Sequence, residues 1–239
     1  MTKAKISAIV PVFNEEKTIK NVVKILLKNK LIDEIICIND SSTDSSLEIL
    51  KSFKDSIILV DLKINKGKGN ALACGVKKAK GDIVAFFDAD IINLKHSHIN
   101  NLLNPLINQS HQISIGILNE DSPFASLTGE RAFFKSLLMP YLNEMRKKRF
   151  GIEIFFNNTF KNHKIAYVEL TRLRTMLKYE KYSTFLTIKE YTKEATEVSR
   201  EIIIQRTNNV LETLKNRQVI KYKTSILKKL KRRKGNIKT

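Results

Sequence analysis

Ile83-Val84-Ala85-Phe86-Phe87-Asp88-Ala89-Asp90 is an apolar run that stops on two acids. A run this short, β-branched and aromatic, reads as a strand buried on both faces. Upstream of it, Gly69 to Ala79 reads as a helix, Ile57 to Asp61 as a strand, and Ser42 or Thr43 to Phe53 as a helix. Before these come a strand from Glu34 to Asn39, an amphipathic helix from about Glu15 to Lys28, and a first strand from Ile6 to Val12. In that first helix Ile19, Val22, Val23, Leu26 and Leu27 recur at helical spacing, and Asn14 is placed to cap it. Downstream, His96 to Ile107 reads as a helix and Gln112 to Leu118 as a strand. Strands alternating with helices predict parallel βαβ units with right-handed crossovers, an α/β fold.

The second half is less regular. Thr128 to Lys148 reads as a loop entering a long helix, Gly151 to Asn162 as a helix and Ile165 to Leu170 as a strand. From Thr187 to Asn216 the pattern is helical again, with Ile188, Tyr191, Ala195, Val198 and Ile202 on one stripe; this C-terminal helical extension offers a surface for self-association.

In open parallel sheets ligands bind beyond the carboxyl ends of the strands. Three polar clusters fall there: Asn14-Glu15-Glu16, Asn39-Asp40-Ser41-Ser42-Thr43-Asp44, and Asp88-Ala89-Asp90. Two carboxylates at i and i+2 past a strand end can turn toward one ion, and their hard oxygens suit Mg²⁺ or Mn²⁺. Lys66-Gly67-Lys68-Gly69-Asn70-Ala71 opens a helix, where glycines admit close approach and the helix start favours an anion; an ordinary capped turn is the competing reading. Asp40 ends the second strand, free to accept hydrogen bonds from a base or ribose unless it caps the next helix.

The chain is 42% hydrophobic and 28% charged, as expected of a globular protein with a core of its own. Cys37 and Cys74 lack metal-type spacing and read as reduced thiols. His96, His98 and His111 read as surface residues, and nothing recruits His163 to a site. Met1 to Lys5 has no apolar leader run, so the expected location is cytoplasmic. The formal charge of +19 is concentrated at one end: residues 215–239 hold eleven Lys and Arg, and no acid follows Glu212. Ile226, Leu227 and Leu230 lie among Lys228, Lys229, Lys231 and Arg232, a pattern suited to the anionic inner face of a membrane. A solvated basic end is the alternative. Tyr222 is the single aromatic after Tyr191, which argues against a nucleic-acid partner.

Val10-Pro11-Val12-Phe13-Asn14-Glu15-Glu16, Ile38-Asn39-Asp40-Ser41-Ser42-Thr43-Asp44, Asn65-Lys66-Gly67-Lys68-Gly69-Asn70-Ala71 and Phe87-Asp88-Ala89-Asp90 occur in that order. Together they resemble the nucleotide-sugar-binding half of family 2 glycosyltransferases. The resemblance is firm over residues 5–92. It continues loosely through Gly129-Glu130-Arg131-Ala132-Phe133, Gly151-Ile152-Glu153 and Val168-Glu169-Leu170, which look like acceptor-side motifs of bacterial members related to polyprenyl-phosphate sugar transferases and glucosyl-phosphoglycerate synthases. It implies a GT-A fold, Rossmann-like with a mostly parallel sheet, over residues 1–182. Residues 1–92 would be the nucleotide-sugar half and 93–182 the acceptor half, with 183–239 as an extension.

By that resemblance Pro11, Asn14, Glu15, Asp40, Lys66, Lys68 and Asp88 meet a UDP- or GDP-sugar, and Asp88 and Asp90 meet the metal. Gly129, Glu130 and Arg131 meet the acceptor, with Arg131 binding an anionic one, and Glu153 acts as base or sugar ligand. Two positions depart from the family pattern. Asn39 stands where an acid is usual, and Thr175 stands seven residues after Val168, where relatives often carry a metal-binding His. Rival readings are a degenerate nucleotide-sugar binder and a sugar-1-phosphate nucleotidyltransferase; the first loop lacks the glycines that the latter needs.

Overall fold

β1 (Ile6–Val12), β2 (Glu34–Asn39), β3 (Ile58–Asp61) and β4 (Ile83–Phe86) pair in parallel in the order β3-β2-β1-β4. Their crossovers are α1 (Ile19–Leu27), α2 (Ser46–Lys51) and α3 (Lys68–Lys78). The sheet continues through β6 (Arg131–Phe134), β5 (Ile113–Ile117) and β7 (Ile165–Glu169). Among the described strands β6 alone runs antiparallel to its neighbours. These observations come from a computed structural model that describes residues 4–117, 128–149 and 151–176, with Thr196 and Ser199. The chain divides into two compact units, Met1–Glu197 and Val198–Thr239, and the fold described is that of the first. Apart from Thr196 and Ser199, the 187–216 helix and the basic end expected from the sequence lie outside the described residues.

The pleat sorts the apolar residues into two cores. Ile6, Ala8, Val10, Ile35, Cys37, Ile83 and Ala85 face α1, α2 and α4 (His96–Ile107). Ile9, Ile36, Ile38, Val84 and Phe86 face α3, α5 (Lys135–Leu138), α6 (Leu142–Arg146) and α7 (Ile152–Thr159). Alternating residues going to opposite cores is what a strand buried on both faces requires. Burial pushes the Cys37 thiol up to about 12, so it is inert, as read from the sequence. On the α3 side Phe86, Phe133, Phe156 and Phe160 pack ring on ring, with centroids 5.1–6.3 Å apart. No helix among the described residues is long and apolar enough to cross a membrane.

Four expectations are corrected. Residues 128–148 hold the strand β6 and then short helical pieces (α5, a 3-10 turn at Met139–Tyr141, and α6) in place of one long helix. Helix α1 starts at Ile19, and Asn14 does not cap it: Asn14 adopts a left-handed φ of 57°, and its Oδ1 accepts the Thr43 N–H at 2.8 Å. The α2 start likewise moves to Ser46, whose N–H donates to Asp44 Oδ1 at 2.9 Å. Both helices begin late because the polar residues ahead of them tie the two loops to each other.

The fourth correction is His98, which is buried, not on the surface. Its Nδ1 accepts the Lys95 N–H at 3.3 Å and its Nε2 lies 3.1 Å from the Thr171 carbonyl oxygen, which fits the neutral Nε2–H tautomer. The ring thereby fixes the start of α4 against the segment after β7. Burial, outweighing the Thr171 bond, holds its pKa below the ordinary value. Below about pH 6.5 the unfolded chain gains a proton that the folded ring resists, so the ring's contribution to stability is full above that pH and is lost as the pH falls through the lowered folded value. Unfolding midpoints should therefore drop from pH 7 toward about pH 5, and His98→Gln, which keeps a donor and an acceptor but cannot titrate in this range, should flatten the drop. An identical pH slope in the variant would assign the decline to other groups.

Candidate active site

The ends of β1 and β2 set the first wall. Val12, Asn39 and Asp61 are in register, and the Asp40 N–H closes the row on the Val12 carbonyl at 2.8 Å. The two loops beyond are laced together. Asn14 N–H donates to Ser42 Oγ, Glu15 N–H to Ser46 Oγ and Ser45 N–H to Glu16 Oε2, at 3.0, 2.7 and 3.0 Å. Asn39, the departure from an acid, has a local cause. Its Nδ2 donates to Asp61 Oδ1 at 2.8 Å and its Oδ1 accepts the Ser42 N–H at 3.2 Å. An aspartate there would set one carboxylate against another and lose the donor.

Asp40 is buried, and its carboxylate straddles the glycine loop. Lys66 N–H donates to Oδ1 at 3.0 Å and Gly67 N–H to Oδ2 at 2.7 Å. Each oxygen keeps a lone pair, so capacity for a ligand survives. The competing reading of Asp40 as a helix cap is replaced by this loop anchor. Gly67, at φ 89°, is the residue before α3, and a side chain there would collide with Arg149. A Cβ at Gly69 would strike the Met145 and Lys148 carbonyls. Lys66 is exposed, whereas Lys68 turns inward at the first position of α3.

Lys68 is the centre of the arrangement. Its Nζ lies 2.7 Å from Asp88 Oδ1, just past β4, and 2.8 Å from Glu153 Oε1, in the first turn of α7. The side chains of Lys68 and Asp88 are each 23% exposed and that of Glu153 15%, so the bridge is largely withdrawn from water. Burial pulls the Lys68 ammonium down, but Asp88 and Glu153 outweigh it and hold it above its ordinary value. Burial likewise pushes Glu153 up, and Lys68 and Arg131 more than offset it, leaving an ionised carboxylate. For Asp88 burial prevails, aided by Asp90 and Glu153 and opposed by Lys68, so its pKa is raised.

Behind these acids runs Thr128-Gly129-Glu130-Arg131. A Cβ on Gly129 would overlap the Asp88 carboxylate, so this glycine permits Asp88 its position. Glu130 is buried, and no described residue hydrogen-bonds its Oε1. Burial, then the Asp88 charge, push its carboxyl up to about 8, so it is protonated at neutral pH. Arg131 is 1% exposed; its Nε donates to the Thr128 carbonyl at 2.9 Å and its Nη1 to Asn157 Oδ1 at 2.7 Å, with the guanidinium over Phe156. Expected at an acceptor, these residues form the wall that positions Asp88 and α7. Burial pulls the Arg131 pKa down to about 10, which leaves it charged.

Asp90 is reached by a segment that the sequence left unassigned. The Met176 N–H donates to the Asp90 carbonyl at 2.8 Å, Ile91 bridges to Thr175, and the Ile92 N–H donates to the Arg174 carbonyl at 2.9 Å. Thr175 therefore stands directly beside the Asp90 backbone. The bridge and the Lys68–Glu153 pair join positions far apart in sequence, which no local pattern signals. Since both Asp40 bonds are charge-assisted, Asp40→Ala should destabilise the fold by about 1.5–3 kcal/mol per bond lost. Denaturant unfolding checks this; a variant as stable as the parent would mean that the loop holds without its anchor.

The family profile described as "Glycosyl transferase family 2" matches residues 7–167. Among curated proteins, the poly-beta-1,6-N-acetyl-D-glucosamine synthase of Staphylococcus epidermidis is 38% identical over 90 residues, 36% of this chain and 22% of that one. The Staphylococcus aureus synthase of the same name is 42% identical over 83 residues, 34% and 20% of the two chains. This chain thus spans about a fifth of the length of those relatives. Among solved structures, glucosyl-3-phosphoglycerate synthase from Mycobacterium tuberculosis in complex with Mn²⁺, uridine diphosphate and phosphoglyceric acid superposes with a TM-score of 0.66. Identity is 22%, over 84% of this chain and 78% of that one. The same enzyme with phosphoglyceric acid gives 0.60 at 24% identity, over 72% of each chain. Those likenesses carry the fold, and the profile, which spans most of the described sheet, carries the membership: the chain belongs to glycosyl transferase family 2.

Proposed function

We propose that this chain transfers a sugar from a nucleoside-diphosphate sugar to an acceptor hydroxyl, with donor and acceptor meeting at Lys68. The observation that carries this reading is the Lys68 bridge at 2.7 and 2.8 Å, which sets a donor-side acid, Asp88, and an acceptor-side acid, Glu153, against one ammonium. Pro11, Asn14, Glu15, Asp40 and Lys66 line the ends of β1 and β2 and the glycine loop, where a nucleoside would lie, and the α3 start faces its diphosphate. UDP is favoured over GDP because the Mycobacterium tuberculosis synthase was crystallised with UDP alongside Mn²⁺ or Mg²⁺. The acceptor oxygen forms the new glycosidic bond as the sugar–phosphate bond breaks. Glu153 takes the acceptor proton, and the nucleoside diphosphate departs.

A divalent ion fits the donor set. Asp88 and Asp90 offer hard oxygens, and the excess of acid is visible in the raised Asp88 and Glu130 carboxyls. Among the described residues no three His, Cys, Asp or Glu side chains gather closely enough to hold an ion by themselves, so phosphate oxygens and water would complete the shell. Mg²⁺ or Mn²⁺ held by Asp88 and Asp90 would supply positive charge to the departing diphosphate.

The reading predicts metal-dependent release of nucleoside diphosphate from UDP- or GDP-sugars. Asp90→Ala should cut it by about 10²–10³-fold, and Glu153→Gln by about 10²–10⁴-fold, each with donor binding by calorimetry largely kept for Glu153→Gln. Full turnover in either variant would remove that residue from the chemistry. Residues 215–239, with eleven basic side chains, fit an anionic membrane face, and with it a lipid-linked or otherwise anionic acceptor. Co-sedimentation with anionic vesicles should be strong at low salt, fall as salt rises and weaken when 215–239 are removed. Indifference to such vesicles at low salt would separate the enzyme from the membrane.

A further inference from the structure

In the free protein the charge that the Asp88 carboxylate needs is already present. Lys68 Nζ sits 2.7 Å from Asp88 Oδ1, at ion-pair distance and largely shielded from water. Its other contact is Glu153 Oε1 at 2.8 Å, so the two acids share one ammonium. It is also anchored close by: Lys68 is the first residue of α3, and the loop before it is pinned through Lys66 and Gly67 to Asp40. The backbone is therefore fixed, and what can move is the side chain.

A divalent ion approaching Asp88 meets this ammonium. Two cations on one carboxylate repel, and the ion would have to displace Lys68 from Asp88. With no group of three ligating side chains among the described residues, the ion has little protein coordination to offset that displacement. A nucleoside diphosphate changes the balance. Arriving at the α3 start it offers Lys68 new anionic partners within reach of the same side chain, and it offers the ion the phosphate oxygens that the protein lacks.

We propose that Lys68 is an internal competitor for the metal, so that the divalent ion binds tightly only together with the nucleoside diphosphate that draws Lys68 off Asp88. The inference rests on the metal reading of Asp88 and Asp90 given above and adds its order: nucleotide and ion enter as a pair. Glu153 is released by the same movement, so the acceptor-side carboxylate loses its ammonium partner only when a donor is in place. Linkage makes the coupling reciprocal, and the ion must tighten the nucleotide by the same factor.

The test is Mn²⁺ binding to the full chain, followed by calorimetry and by the electron paramagnetic resonance of free Mn²⁺, alone and with saturating UDP, with GDP as a parallel arm. Wild type should bind Mn²⁺ weakly alone and at least about tenfold more tightly with nucleotide, a coupling of about 1.4 kcal/mol. Lys68→Gln and Lys68→Met should take up Mn²⁺ alone about tenfold more tightly than wild type and lose most of the nucleotide dependence. Lys68→Arg should keep the wild-type pattern. Glu153→Gln, which leaves the ammonium on Asp88 alone, should gain no affinity for Mn²⁺. Lys68→Gln and Lys68→Met binding Mn²⁺ no better than wild type, while wild type still binds it with UDP or GDP, would overturn the competition and leave the metal site standing. If wild type takes up no Mn²⁺ with either nucleotide, the metal reading itself falls, and the competition with it.

Discussion

Too much acid is gathered at the end of β4 for the cations beside it. Asp88, Asp90, Glu130 and Glu153 converge there with Lys68 and Arg131, in surroundings from which much of the water is excluded. Everything nearby reflects the cost of holding like charges together. Glu130 stays protonated, Lys68 divides itself between two carboxylates, and Arg131, held by a carbonyl and an amide, adds positive charge that favours the ionised Glu153. Breaking a buried pair by removing one partner is far more damaging than never having had it. Such an arrangement is hard to justify by stability, and it is suited to receiving a positively charged or cation-bearing ligand.

The backbone is organised to hold this cluster still. Asp40 ties down the glycine loop, the loop sets the start of α3, and α3 delivers Lys68. Gly129 gives Asp88 its room, and Gly151, in the left-handed region at φ 79°, turns the chain so that α7 begins with Glu153 in its first turn. From the other side the segment 172–176 takes hold of Asp90 and Ile91 through backbone bonds and the β-bridge. The side chains of the cluster are thus carried on backbone that has few alternatives.

Much of this was legible in the sequence because its cause is local. β1, β2 and β4 declare themselves as apolar runs followed by polar clusters that contain acids, and the amphipathic spacing of Ile19, Val22, Val23 and Leu26 predicts which side of α1 is buried. β6 was missed because Arg131-Ala132-Phe133-Phe134 has no alternation to read, being covered on both faces, and because it opens on a buried charge whose partners include the distant Asn157. Asn14 has the right chemistry for a helix cap, and the same chemistry let it serve the Thr43 N–H instead. His98 gave no signal at all, since its partner Thr171 lies beyond three further strands. Within the candidate site the residue types could be named in advance, but the Lys68 bridge could not, because it depends on where α7 lands.

The antiparallel strand β6 has a consequence for how the molecule comes into being. The parallel half is built from neighbouring βαβ units, whose partners follow one another closely and close short loops. β6 must instead be threaded between β4, formed much earlier in the chain, and β5, with α7 settling only afterwards. Pairings between distant segments are slow, because chain entropy is lost before contacts repay it. As the chain leaves the ribosome, β1 to β4 can be complete while Gly129 and Glu153 are still unmade. Lys68 and Asp88 then face each other with no third partner, and the charge cluster is finished only when the last strands close. A half-made chain therefore has the sheet edge and the glycine loop in place before the Glu153 carboxylate joins them.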